Sequence, residues 1–313
     1  MKRVLTAVVL VPLVLLVVFK APVWLFALVA GLVMLLCLHE YLGLLEHYGI
    51  EPLRWPAYLL SILVIVGAFA RIYAEINPSI RGYGFLLPLE SILVLVIPFL
   101  LPLLFGIPLL FRRDLRLGLA AAASSAFGVL YIATPLSLLI TMRWTPDLDI
   151  LLVFVLLSVW AGDIAAYYVG KNLGRHKLAP AVSPNKTWEG AIASLLASVG
   201  IAFLVFHYAV DVHRLFRPPG RYFSFPGQDY YLESAFRLYT SSLRHLLFVC
   251  SLGVVANIAA QFGDLFESAI KRGAQVKDSG SLLPGHGGIL DRIDALLFAV
   301  PAVWYYAELT QLF

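Results

Sequence analysis

The chain has 313 residues, of which 61% are hydrophobic and only 13% charged, with a formal net charge of +4. A soluble domain averages about 45–50% apolar and about 25% charged residues, so a water-soluble globule, a disordered chain and a collagen are all excluded. Cys37 and Cys250 both lie inside apolar runs, which excludes a disulfide framework and a cysteine metal site.

A bilayer crossing takes roughly 20 apolar residues. In chain order the apolar runs are Val4–Phe19, Val23–Leu38, Ala57–Ala74, Ile92–Phe111, Leu117–Met142, Leu151–Gly170, Ile192–Val210, Leu246–Glu267 and Ile289–Phe313. They predict an all-α, polytopic integral membrane protein of about nine spans, divided into N-terminal helices (1–150) and a C-terminal region with two polar loops (151–313). The first run follows Lys2 and Arg3 as a signal peptide would, but Phe19-Lys20-Ala21-Pro22 is no small-x-small cleavage site, so a retained helix is expected. His39-Glu40 is followed by Gly43 rather than a zincin histidine; the two residues are expected to close the second span and take no further role. No Walker or dinucleotide-binding glycine motif occurs.

Lysines and arginines set the orientation. Lys2, Arg3, Arg54, Arg112, Arg113, Arg116 and the basic residues of the loops after the sixth and eighth runs fall on one side if the N-terminus is cytoplasmic. The basic residues of the other side are fewer and lie mostly in the long 210–244 segment, which nothing in the pattern explains. Two crossings separate the Lys171–Thr187 and Lys271–Gly288 loops, so both are expected on the same, cytoplasmic face.

Polar residues that do not belong in lipid mark the rest. Asp163 and Tyr167 are one helical turn apart at the end of the sixth run, and Ser183-Pro184-Asn185-Lys186-Thr187 leads into the seventh. Pro184 holds Ser183 out of the α region, Thr187 suits an N-cap, and a lysine beside a helix N-terminus suits a phosphate. An interfacial loop obeying the positive-inside rule fits that segment equally well. Asn257, Gln261, Asp264 and Ser268 fall on one face of the eighth helix. Such a stripe either glues helices together or faces a polar cavity.

Beyond it come Lys271, Arg272, Lys277, Asp278 and His286, the glycines 273, 280, 285, 287 and 288, and then Asp291, Arg292 and Asp294 at the start of the ninth helix. The antiparallel eighth and ninth helices let Asp264 approach Asp291. Carboxylates beside a basic, glycine-rich loop suit a divalent cation that in turn holds phosphates, since magnesium takes one or two carboxylates and fills its shell with water and phosphate oxygens. The competing view is that these charges neutralise one another at the interface.

Ser268-x-x-Lys271-Arg272-x-x-x-x-Lys277-Asp278, followed by Pro284-x-His286-Gly287-Gly288-x-x-Asp291-Arg292-x-Asp294, resembles the signature of the phosphatidate cytidylyltransferases. Ser183–Gly190, with Asp163 upstream, is similar to that family's second segment. The resemblance covers about the C-terminal half. It implies a nucleotidyltransferase of phospholipid synthesis, acting on CTP and phosphatidic acid in the bacterial inner membrane, with a cytoplasm-facing polar cavity and no nucleic acid partner. It also implies Mg²⁺ on Asp264 and Asp291, with room for a second cation, divalent or monovalent. Lys271, Lys277, Asp278, Arg292 and Asp294 would complete the catalytic set; Asp163, Ser183, Lys186, Thr187, Ser268, Arg272, His286, Gly287 and Gly288 would bind substrate. The oligomeric state is open, a homodimer being one option. A CTP-dependent polyprenol kinase and a transporter are the alternatives.

Overall fold

The computed structural model describes residues 12–76, 103–110, 117–144, 148–209, 211–212, 243–282 and 287–310. Its helices are α1 (12–20), α2 (Val23–His47), α3 (Arg54–Ile76), α4 (103–110), α5 (Gly118–Trp144), α6 (Asp149–Leu173), α7 (Trp188–His207), α8 (Leu243–Gly273) and α9 (Leu290–Leu309). Six of them, α2, α3, α5, α6, α7 and α8, are long and apolar enough to cross a membrane. The fold is therefore that of a mostly helical membrane protein, and the expected count of nine is not reproduced among the described residues. Half of the first expected span and most of the fourth fall outside those residues. Helix α9 carries Asp291, Arg292, Asp294 and Glu308 within its 20 residues and is not among those six.

The fold is not purely helical. Strands β1 (Lys177–Ala179) and β2 (Ser183–Thr187) form an antiparallel hairpin, pairing Lys177 with Thr187 and Ala179 with Ser183. The sequence predicts a loop there, because three- and five-residue polar strands show no apolar alternation.

The chain divides into two compact units, Met1–Trp144 with Ile270–Ile293, and Thr145–Ala269 with Asp294–Phe313. In the first, α2, α3 and α5 pack together around the fully buried Met34, Leu38, Leu42, Leu60, Ile72, Ile132 and Ile140. Residues Val129–Ala133 of α5 widen into a π-helical turn. Pro135 lacks the N–H that would bond Tyr131 and its ring crowds that carbonyl, so the preceding turn opens. Gly128 admits the Tyr41 ring, which a Cβ there would meet at 2.5 Å, while the Tyr41 hydroxyl donates to Ser124 O at 3.0 Å. Buried Arg143 donates to the carbonyls of Val18, Phe19 and Ala21 around the end of α1.

In the second unit α6 and α7 lie side by side, and small residues let them close. A Cβ on Gly162 would fall 2.7 Å from Ser194 Oγ, and one on Gly190 would fall 2.9 Å from Ala166 O. Helix α8 joins them through Asn257, whose amide donates to Ser194 Oγ (2.7 Å) and Ser198 Oγ (2.9 Å). Phe262 and Phe266 of α8 set their rings edge-on to Phe298 of α9.

Candidate active site

In the second unit, α6, the hairpin, α7 and α8 enclose a cavity of about 640 Å³, within the range of small-molecule sites. Thr187 ends β2 and, as expected, caps α7, its Oγ1 accepting the Gly190 N–H at 3.2 Å. That cap fixes Lys186 at the cavity wall, where its Nζ lies 2.5 Å from Asp264 Oδ2 of α8. Asp163 and Tyr167 line the same space from α6, so Asp163, the adjacent Lys186 and Thr187, and Asp264 of α8 meet around one cavity.

The stripe on α8 serves both purposes that its pattern allows. Asn257 and Gln261 face the cavity, and both also bind helices together: Gln261 Nε2 donates to Asn257 Oδ1 (2.5 Å) and to Ala191 O (3.1 Å). Ser268 lies one turn beyond, with its hydroxyl 3.5 Å from Asp264 Oδ1. Ser183 is not among the lining residues; it pairs with Ala179 at the turn end of the hairpin, the far end of β2 from Thr187. Lys171, Lys177 and Asn185, which sequence reasoning does not single out as site residues, all line the cavity. Lys171 follows Tyr167 by one helical turn and stands over its ring at 5.8 Å. Three lysines and two aspartates give the wall a net positive charge suited to a polyanion.

The glycine-rich signature lies in the first unit. Helix α8 ends in a Schellman motif: Gln275 adopts φ 58°, and the N–H groups of Gln275 and Val276 donate to Arg272 O and Lys271 O. The Tyr48 hydroxyl donates to Ile270 O at 2.7 Å, and partial burial raises its pKa, keeping the proton available. Asp291, 5% exposed, takes Lys271 Nζ on Oδ1 (2.5 Å) and the N–H groups of Gly288 (2.7 Å) and Ser279 (3.0 Å) on Oδ2. Gly287 has φ 79°, and a Cβ there would press on Asp291 Oδ2 and on Asp278, so the loop closes on the carboxylate only with glycine at that place. Arg272, Lys277, Asp278 and Arg292 are exposed. Asp294, counted with the second unit, is buried, and its Oδ1 accepts the Ala295 N–H at 2.7 Å. His286 lies outside the described residues.

One residue to which the sequence assigns no role is central here. Helix α2 does not close at His39-Glu40 but runs on to His47, and Glu40 is buried. Its carboxylate accepts the N–H groups of Ile289 (3.0 Å) and Leu290 (2.9 Å) and the Ser279 hydroxyl (3.1 Å).

Among the described residues no group of three or more histidines, cysteines, aspartates and glutamates converges as a metal cage. Asp264 by itself fits magnesium, which needs only one or two carboxylates: it faces the cavity, is 35% exposed and has one oxygen on a lysine that can change partners. Asp291 is already engaged by three donors, so a cation there would have to displace Lys271.

The sequence model described as the cytidylyltransferase family matches residues 1–310. The chain belongs to the cytidylyltransferase family. Among curated members, it is 36% identical to a phosphatidate cytidylyltransferase of Rickettsia bellii over 178 residues, 57% of this chain and 66% of that protein. It is 37% identical to the enzyme so named in Haemophilus influenzae over 156 residues, 50% of this chain and 45% of that one. The matched part of the chain thus spans less than two thirds of the length of these two relatives. Over 299 residues it is 29% identical to the phosphatidate cytidylyltransferase of a Synechocystis species, covering 91% of this chain and 89% of that protein.

Proposed function

We propose that this cytidylyltransferase-family chain makes CDP-diacylglycerol from CTP and phosphatidic acid. A phosphate oxygen of the lipid attacks the α-phosphorus of CTP, the bond from that phosphorus to the bridging oxygen breaks, and pyrophosphate leaves. The observation that carries the reading is the Lys186–Asp264 pair at the wall of a cavity that Lys171 and Lys177 also line.

Two anions must meet, so positioning and charge neutralisation supply the catalysis. Lys171, Lys177 and Lys186 bind and orient the triphosphate, and the α7 N-terminus capped by Thr187 adds its dipole. Asn185 and Asp163 offer hydrogen bonds to the nucleoside. Lys271, Arg272, Lys277 and Arg292 serve the phosphates from the signature loop. The lipid phosphate is ionised at neutral pH, so no residue needs to act as a general base. Asp264, with Asp291 as the partner named by the resemblance, would hold Mg²⁺, which when bound neutralises phosphate charge. The proposed setting is the bacterial cytoplasmic membrane, with the N-terminus inside, nine crossings and both polar loops open to the cytosol.

The full chain, purified in detergent and given labelled CTP and phosphatidate with Mg²⁺, is expected to release pyrophosphate and form CDP-diacylglycerol. Chelation should stop turnover. Release of CDP in place of pyrophosphate would overturn the proposal in favour of a lipid kinase. Cysteines placed at Ser183 and Ser281 should both react with an impermeant reagent from the cytoplasmic side; reaction from opposite sides refutes the topology.

A further inference from the structure

Glu40 sits inside a candidate membrane span yet carries a carboxylate, buried at 5% exposure, whose burden there is at least about 2.5–3.5 kcal/mol when unsupported. Among the described residues, its hydrogen-bond donors come from the signature segment. Ile289 and Leu290, the two residues before Asp291, donate their N–H groups to it, and Ser279 donates its hydroxyl.

The same short stretches serve Asp291. Ser279 gives its hydroxyl to Glu40 and its backbone N–H to Asp291 Oδ2; Gly288 gives its N–H to Asp291. The backbone is also pressed against Glu40: a Cβ on Gly280 would stand 2.6 Å from Glu40 Oε1, and one on Gly288 would collide with Glu40 Oε2 and Ser279 Oγ. Two carboxylates therefore divide the donors of residues 279 and 288–290 between them, and neither set can shift without disturbing the other. The Leu290 N–H is one of the orphan donors of the α9 N-terminus, so Glu40 also fixes where that helix, and Asp291 in its first turn, begins.

We infer that Glu40 is the positioning residue of the signature segment: it sets the place of Asp291 without touching substrate. The inference rests on the reaction proposed above.

The test compares Glu40→Gln with the wild-type full chain in detergent, by kinetics and by amide hydrogen exchange. Glutamine keeps the volume and one acceptor oxygen but turns an NH₂ group toward donors. Exchange at Ile289 and Leu290 is expected to rise on the order of tenfold, as loss of a charged acceptor implies, with exchange in α6 and α7 unchanged. With CTP and phosphatidate, kcat is expected to fall about 10- to 100-fold, the usual cost of a lost supporting partner, at unchanged KM for CTP. Glu40→Ala should lie below Glu40→Gln in kcat. Ser279→Ala, which deletes a single donor, should move both readings the same way by less; it decides the matter if the Glu40 variants give no folded protein. Unchanged exchange at Ile289 and Leu290 overturns the inference, as does exchange that rises equally in α6 and α7. A wild-type chain that turns over no CTP refutes the reaction instead, and the exchange comparison still decides the role of Glu40.

Discussion

Lys271 Nζ donates to Asp291 Oδ1 at 2.5 Å across twenty residues of chain, with the two side chains 12% and 5% exposed. Removing one partner of so covered a pair costs about 3–5 kcal/mol. Lys271→Met and Asp291→Asn are therefore expected to lose activity and thermal stability together, read as turnover and as the unfolding midpoint in detergent. A midpoint equal to wild type in both would show that the pair does not hold the loop.

Lys186 and Asp264 behave differently. Their side chains are 25% and 35% exposed, and pairs of that kind contribute about 0–1 kcal/mol. Lys186→Ala and Asp264→Asn should keep the wild-type midpoint while lowering kcat/KM for CTP on the order of 100-fold. Near-normal turnover in either would remove that residue from the active site.

Thr187→Ala deletes the cap of α7. The expected loss is about 1 kcal/mol of stability, with a raised KM for CTP because the helix end forms part of the cavity wall. Thr187→Ser, which retains the hydroxyl, should restore both readings. A KM that follows neither substitution would separate the cap from the binding site.

Gly253 touches α7 closely enough that a Cβ would fall 2.8 Å from Val199 Cα, a backbone atom that cannot swing aside. Gly253→Ala is expected to cost about 1–3 kcal/mol by overpacking, seen as a lower midpoint with unchanged KM. Asn257→Leu removes the hydrogen bonds to Ser194 and Ser198 and should cost about 0.6–2 kcal/mol. Equal midpoints for wild type and both variants would mean that α8 is not seated on α7 in this way.

Much of this is legible in the sequence. Apolar runs locate the helices, because every backbone group in lipid has to be satisfied within its own segment. The helical spacing of Asn257, Gln261 and Asp264 places all three on one cavity. Thr187 can be read as a cap from its own type and from the residues that follow it. The hairpin cannot, since its pairing depends on backbone geometry and not on apolar alternation. Nor can Glu40, whose partners Ile289 and Leu290 lie 249 and 250 residues away. A glutamate beside a histidine at the end of an apolar run looks like an ordinary terminus until those distant donors are seen. Lys171 carries a readable signal, a charge one helical turn from Tyr167, but a lysine at a span end also satisfies the positive-inside rule; Lys177 reaches the cavity only through the hairpin, opposite Thr187.

Asp264 and Lys186 each occupy the place that an incoming ion would take. A cation drawn to Asp264 sets the ammonium of Lys186 loose, and an anion drawn to Lys186 bares the carboxylate of Asp264. Each arrival thus lowers the cost of the other, and by linkage the help is equal in both directions. If the cavity takes nucleotide and metal as proposed above, it would act as a coincidence detector: each would bind more tightly with the other present, and the resting pair would discourage either from settling alone.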